Sequence, residues 1–391
     1  MTHPGPGFTP PPYPHDRLGP LAATAARVEG GCVDVSVGTP VDPTPDVVVE
    51  ALRDAARAAM GYPPSVGTLA LREAAAGWVE RRAGVVVDPE AVITCVGTKE
   101  VVASLPRLLG LRDPTRDTVL YPAVSYPTYE MGARLAGLRA VPVPLDTEWR
   151  LDIDAIADAD ARRALVLWLN YPANPTGAAA STGHLTALVD WARARGVVVA
   201  SDECYTELAW TPAGDPAPPT TVLSTGPEGV LVVHSLSKRS NMAGLRSGFI
   251  AGDVGLVRYL GEVRKHAGMM VPAPVQAAAA AAWADDTHVD EQRARYRARR
   301  DRALPALRRA GLVHRGGDAT FYLWLADAHA ADPAADGWAL AARLAARGLL
   351  VAPGELYGDP RHVRVALTVT DDRLALALDR VTSPGAVPQP T

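Results

Sequence analysis

What most constrains this chain is a set of short apolar runs, each too brief for a helix and each ending in polar residues. AVITC (91–95), TVLY (118–121), ALVLWLN (164–170), GVVVAS (196–201) and GVLVVHS (229–235) are rich in Val, Ile and Leu and alternate little. That pattern marks strands buried on both faces. Helical spacing fills the intervals: Asp46 to Met60, Thr68 to Arg82, and His184 to Arg195, which Gly196 stops. Strand, helix, strand repeated in this way predicts an α/β fold, a mostly parallel central sheet with helices on both faces.

After Asp253 the pattern shifts to Ala- and Arg-rich helices, including an apolar piece from Val275 to Trp283. A strand (ATFYLWL, 319–325), a helix (GWALAARLAARG) and a last strand (HVRVALT, 362–368) follow, which reads as a smaller α+β domain. The expected division is residues 1–45 as an N-terminal arm plus part of the small domain, 46–265 as the large domain and 266–391 as the small C-terminal domain. A length of 391 residues suits two such cores.

A net charge of -4 is small for this length and gives no electrostatic case for nucleic acid or an anionic membrane as partner. Cys32, Cys95 and Cys204 are far apart and match neither metal-ligand spacing nor a disulfide framework, so no metal is expected. The opening residues lack the order of a secretory signal and form a Pro-rich arm; the expected location is the cytoplasm.

Ligands bind beyond the carboxyl ends of strands in an open parallel sheet, so the residues after each run are the candidates. AVITC leads into Gly97, Thr98 and Lys99, and TVLY into Ser125 and Tyr126. ALVLWLN ends at Asn170 before the turn Asn174-Pro175-Thr176-Gly177. GVVVAS delivers Asp202, Cys204 and Tyr205; GVLVVHS delivers Ser235, Ser237 and Lys238, with Arg246 a little further on. Singly, these are turn formers, a helix cap and a surface charge. Together they meet the needs of one ligand. Ser235, Ser237, Thr98 and Arg246 suit a phosphate, Asp202 a protonated ring nitrogen, and Asn174 with Tyr205 a phenolate oxygen. A lysine amine suits an aldehyde, and an aromatic ring stacks on another. Pyridoxal 5'-phosphate has all of these features.

NPTG (174–177), SDECY (201–205), SLSKRSNMAGLRSG (235–248) and HVRVALT (362–368) resemble the fold type I pyridoxal-phosphate enzymes, specifically the class I/II aminotransferases, over residues 37–370. The resemblance implies that Lys238 holds the cofactor as a Schiff base, that Asp202 pairs with its ring nitrogen, and that Asn174 and Tyr205 bind its ring oxygen. It places Tyr126 against the ring and Thr98, Lys99, Ser235, Ser237 and Arg246 at the phosphate, the first two through backbone N–H groups. Arg364 is implied as the clamp on the substrate carboxylate, with Asn174 and the Gly38 backbone beside it. Tyr62 matches a tyrosine that reaches the phosphate of the other subunit, which implies a homodimer with shared active sites.

Within the family, SLSKRSNMAGLRSGFIAGD, VRKHAGMMVPAPVQAA (263–278) and YPTYEMGARLAG (126–137) are similar to actinobacterial N-succinyldiaminopimelate aminotransferases. That likeness implies glutamate, with 2-oxoglutarate as its keto product, and N-succinyl-2-amino-6-oxopimelate as the acceptor. An aminotransferase for another acidic or aromatic amino acid and a C–S lyase on the same fold are the alternatives. Arg239, Lys265 and His266 read either as anchors for an acidic side chain or as solvated surface charges.

Overall fold

The computed structural model describes residues 8–58, 61–211, 213–328 and 336–383. The first seven residues of the Pro-rich arm, the Met60 end of the first expected helix, Pro212 and the tail beyond Ser383 lie outside them. The strands are β1 (Val33–Asp34), β2 (Val92–Cys95), β3 (Thr118–Pro122), β4 (Arg139–Val143), β5 (Ala164–Asn170), β6 (Val198–Asp202), β7 (Val230–Ser235), β8 (Gly248–Gly252), β9 (Leu312–His314), β10 (Tyr322–Asp327), β11 (Leu349–Leu350), β12 (Ala352–Pro353) and β13 (Val363–Ala366). The helices are α1 (Gly19–Ala26), α2 (Asp46–Ala56), α3 (Leu69–Ala83), α4 (Thr98–Arg112), α5 (Thr128–Leu135), α6 (Asp158–Arg163), α7 (Thr182–Arg193), α8 (Leu236–Arg239), α9 (Val254–His266), α10 (Ala273–Ala284), α11 (Thr287–Arg309), α12 (Gly337–Ala345) and α13 (Asp371–Thr382).

Seven strands form the large sheet in the order β2-β8-β7-β6-β5-β3-β4. All neighbours are parallel except at β8, which runs against both β2 and β7. The five sequence runs are its β2, β3, β5, β6 and β7. Every residue of β5 is buried, and from Val166 on its side chains divide by parity: Leu167 and Leu169 join one core cluster, Val166 and Trp168 another. Val230 and Val232 of β7 go to the first cluster, Leu231 and Val233 to the second. Two apolar faces on one strand require two covering layers, which explains why these runs do not alternate. Leu71, Trp78, Leu185 and Trp283 cover one face; Val101, Leu105, Tyr129 and Leu260 cover the other.

The helix ends follow local chemistry. Thr68 caps α3 by accepting from the Leu71 amide, and Gly84 closes that helix in the left-handed conformation. Ser181 caps α7 likewise, so this helix starts at Thr182 rather than His184. Two strands of the large sheet escape sequence reading. In β4, RAVPV, a proline sits where the edge of the sheet needs no donor. In β8, GFIAG, glycines allow close backbone passage: a Cβ at Gly252 would collide with the Val230 carbonyl.

The smaller lobe holds the antiparallel sheet β12-β13-β10-β9, and β1 pairs in parallel with β11, tying the N-terminal segment to it. Its core gathers Tyr296, Leu307, Leu323, Leu340 and Val363. The large-lobe core continues past residue 265, because Ala278, Ala279, Ala282 and Trp283 of α10 pack with Leu71 and Trp78. The chain therefore crosses between cores at Asp285 and Asp286, between α10 and α11. No helix among the described residues is long and apolar enough to cross a membrane.

Candidate active site

The strand ends of the large sheet and one wall of the small lobe enclose a cleft of about 470 Å³. It is lined by Gly38, Thr98, Lys99, Tyr126, Asn174, Asp202, Tyr205, Ser235, Ser237, Lys238, Arg246 and Arg364. These are the sequence-derived site residues apart from Tyr62, gathered from segments more than 300 positions apart.

Ser235 ends β7 and its hydroxyl accepts from the Ser237 amide, starting the short helix α8 that presents Lys238. The Lys238 ammonium donates to the Gly38 carbonyl. Burial pulls its pKa below the ordinary lysine value, Tyr322 opposes the shift, and the charges of Arg364 and Arg246 add to it. The site thus holds an amine that loses its proton more readily than a surface lysine.

Asp202 ends β6, beside Asn170 at the end of β5. The Tyr129 hydroxyl donates to its Oδ2 at 2.9 Å and the Cys204 amide to its Oδ1 at 3.3 Å. It has no ion-pair partner among the described residues, and burial raises its pKa against the help of Cys204 and Tyr129 as donors. A buried carboxylate of this kind is matched to a cationic N–H arriving with a ligand.

The Asn170 side chain organises the next turn. Its Nδ2 donates to the Asp202 carbonyl at 2.8 Å and its Oδ1 accepts from the Asn174 amide at 2.8 Å. Asn174 Oδ1 in turn accepts from Arg364 Nη1 at 2.7 Å, while Arg364 Nη2 donates to the Ser36 carbonyl at 2.6 Å. The Arg364 guanidinium lies 4.2 Å from the Tyr322 ring centroid and 4.5 Å from that of Tyr357, and its Nε has no partner. The Tyr205 and Tyr322 hydroxyls meet at 3.1 Å. A Cβ at Gly38 would collide with the Tyr322 hydroxyl, so this close approach requires glycine.

At the other end, Gly97 (φ +72) lets α4 begin at Thr98, and a Cβ there would strike the Arg246 guanidinium. The first turn of a helix leaves amides without intrahelical partners, suited to an anion. Arg246 reaches the same place because β8 is antiparallel: it enters the sheet where its neighbours leave, with Gly248 in register with both Cys95 and Ser235.

The cleft also contains Asn170 and Cys204, which the strand ends deliver without an assigned role, and residues that sequence reasoning did not select: Tyr13, His15, Tyr129, Tyr322 and Tyr357. Lys99 Nζ donates to the Tyr13 hydroxyl at 3.2 Å and lies 4.8 Å from the ring centroid. Tyr129 had a usable signal: it follows Tyr126 by three residues, in the first turn of α5. Tyr322 lies inside an apolar run, and Tyr13, His15 and Tyr357 arrive through tertiary packing alone.

Four expected residues lie elsewhere. Tyr62 is 96% exposed, away from this chain's cleft. Lys265 and His266 are exposed at the end of α9, with Lys265 3.8 Å from Glu262. Arg239 is buried on the far side of α8, paired with Glu207 and Asp286. None of the three proposed side-chain anchors lines the cleft, since helix and turn geometry point them away from it.

The donor set fits pyridoxal phosphate. Lys99, Lys238, Arg246 and Arg364 line the cleft with a single carboxylate, Asp202, and none of these four cations is in an ion pair among the described residues. A phosphate and a substrate carboxylate are the charges such an excess accommodates. Beside them stand the buried Asp202 and the unpartnered Arg364 Nε.

Comparison with known proteins gives the family. A probable aminotransferase of Mycobacterium tuberculosis, Rv1178, is 47% identical over 95% of this chain and 85% of its own length. The 4-dedimethylamino-4-oxo-anhydrotetracycline transaminase OxyQ of Streptomyces rimosus is 45% identical over 95% of this chain and 99% of its own. The solved structure of a probable N-succinyldiaminopimelate aminotransferase from Thermus thermophilus superposes with a TM-score of 0.81 at 30% identity, covering 94% of this chain and 98% of that one. Residues 31–381 match the family described as aminotransferase class I and II. The chain belongs to that family of pyridoxal-phosphate-dependent transaminases, which use amino and keto acid substrates such as glutamate.

Proposed function

We propose that this aminotransferase moves the amino group of glutamate to N-succinyl-2-amino-6-oxopimelate, with Lys238, Asp202 and Arg364 as its working residues. The observation that carries the reading is one cleft holding an amine of lowered pKa, a buried carboxylate without a cation and an arginine with a free Nε. When bound, the cofactor supplies an electron sink conjugated to the substrate Cα. Lys238 removes the proton from that carbon, which its lowered pKa favours by leaving it a neutral amine. Asp202 keeps a proton at the ring nitrogen. Asn174 and Tyr205 bind the ring oxygen, and Tyr126 stacks against the ring. Ser235, Ser237, Arg246 and the first amides of α4 hold the phosphate. Arg364 orients the substrate through its carboxylate, and the Gly38 backbone borders the same position.

Two features support an acidic acceptor. The Thermus neighbour carries the succinyldiaminopimelate name, and Lys99 is the cleft cation whose ammonium the cofactor and the α-carboxylate leave free. We further propose a homodimer in which Tyr62 reaches the partner's phosphate, a role suited to its exposure on this chain. The likeness to OxyQ favours a second reading, an oxo-anhydrotetracycline acceptor. A coupled assay with glutamate and a panel of acceptors decides between them. Highest kcat/KM for N-succinyl-2-amino-6-oxopimelate is expected; preference for oxaloacetate or for the 4-oxo-tetracycline would reject that acceptor and keep the class.

A further inference from the structure

The three residues after Lys238 reach one stretch of chain: Arg239 the end of α10 and the junction that follows it, Ser240 and Asn241 the first turns of α11. Arg239 makes five hydrogen bonds, to Glu207, Ser240 Oγ, the carbonyls of Ala282 and Asp285, and Asp286 Oδ1. Its guanidinium lies 5.7 Å from the Trp78 ring centroid and 4.9 Å from that of Trp283. Ser240 Oγ meets His288 Nε2 at 2.8 Å. Asn241, held at φ +52, donates to Gln292 Oε1 at 3.1 Å. The partners 285, 286, 288 and 292 lie at the α10–α11 junction and along the first turns of α11, where the chain passes from one core to the other.

The same helix grips the opposite wall of the cleft. Gln292 Nε2 and Arg299 both bind the carboxylate of Asp42, four residues after Gly38, whose carbonyl receives the Lys238 ammonium. Arg299 also binds Asp371 at 2.8 Å and the Leu367 carbonyl at 3.4 Å, just beyond Arg364. One helix thus touches the turn that carries the amine and the segments that carry the two groups facing it.

We propose that Arg239, Ser240 and Asn241 are positioning residues that register Lys238 to α11, so that the helix entering the small lobe sets where the reacting amine sits relative to Gly38 and Arg364. Simple burial of α8 would be served by apolar residues. Here three successive polar side chains are each spent on the junction, and Arg239 commits every donor it has.

The inference rests on Lys238 as the cofactor-bearing amine. It is tested in the holoenzyme by titrating the visible absorbance of the bound cofactor against pH, alongside kcat and KM for glutamate. Arg239→Lys, His288→Ala and Gln292→Ala are the variants, and Asp301→Ala, which removes an exposed pair on the same helix, is the control. The variants should lower kcat on the order of tenfold with little change in KM, because a displaced amine costs rate rather than binding. They should also move the titration midpoint by about 0.5 pH unit or more, while Asp301→Ala leaves both at parent values. A lower Tm with parent kcat and midpoint would assign the triplet a packing role and overturn the proposal. If Arg239→Lys does not fold, Gln292→Ala alone decides. Lys238→Ala run in parallel separates the two levels: retained visible absorbance overturns the reading and this inference together, whereas lost absorbance with parent-like Arg239 and Gln292 variants overturns this inference only.

Discussion

The two walls of the cleft are built differently. One is the carboxyl edge of a parallel sheet, where successive buried strands deliver Asn170, Asp202 and Ser235, followed within a few residues by Asn174, Tyr205 and Lys238. The other is assembled from the antiparallel strands β10 and β13, the turn at Tyr357 and the N-terminal segment bearing Tyr13 and His15. The first is fixed by strand register and short backbone caps; the second depends on how the small lobe and the segment bearing Tyr13 and His15 pack. On the proposed roles, chemistry falls to the sheet-edge wall and substrate recognition to the small-lobe wall.

Substitutions on each wall can break this comparison. The largest effect is expected on the sheet edge: Asp202→Asn should lower kcat by about two to three orders of magnitude, since it removes the only carboxylate among the described residues lining the cleft, the group proposed to pair with the ring nitrogen; turnover within tenfold of the parent would move that role elsewhere. On the small-lobe wall, Arg364→Lys loses the forked grip and should reduce kcat/KM about ten- to a hundredfold, chiefly through KM. Steady-state kinetics for glutamate and the acceptor check this, and an effect confined to kcat would contradict it. Tyr322→Phe removes one hydrogen bond from Tyr205 and should cost about three- to tenfold in kcat; a loss as large as that of Asp202→Asn would show that the small-lobe wall takes part in the chemistry.

A further prediction concerns stability without cofactor. The folded pKa of Lys238 lies below its ordinary value of 10.5, so between those two values the unfolded chain binds the extra proton. Apoprotein stability should therefore rise with pH across that window, and the increment should be missing in Lys238→Met when urea unfolding is followed at several pH values. Identical slopes in the two proteins would mean that the amine is not desolvated.

The same contrast explains what the sequence made readable. Lys238, Asp202, Asn174 and Arg246 follow or precede apolar runs on adjacent strands, so strand order alone brings them to one edge. Gly248 and Gly252 deprive β8 of the apolar run that marks a strand, and Pro142 interrupts β4. Tyr322 alternates with core residues on β10 and carries no local mark of function. Arg239 looked like a substrate anchor because a cation beside Lys238 invites that reading; successive residues of a helix face different ways, and its side chain enters the interior instead. For Lys265 and His266 charge alone leaves a substrate anchor and a solvated surface charge equally open, and α9 places both at the surface.

The central claim is that Lys238 bears the cofactor. It is tested most directly by reducing the holoenzyme with borohydride, digesting it and locating the added mass. The account predicts a pyridoxyl-phosphate increment on the peptide containing Lys238 and none in Lys238→Ala. An increment on any other lysine, or an unchanged increment in that variant, would contradict it.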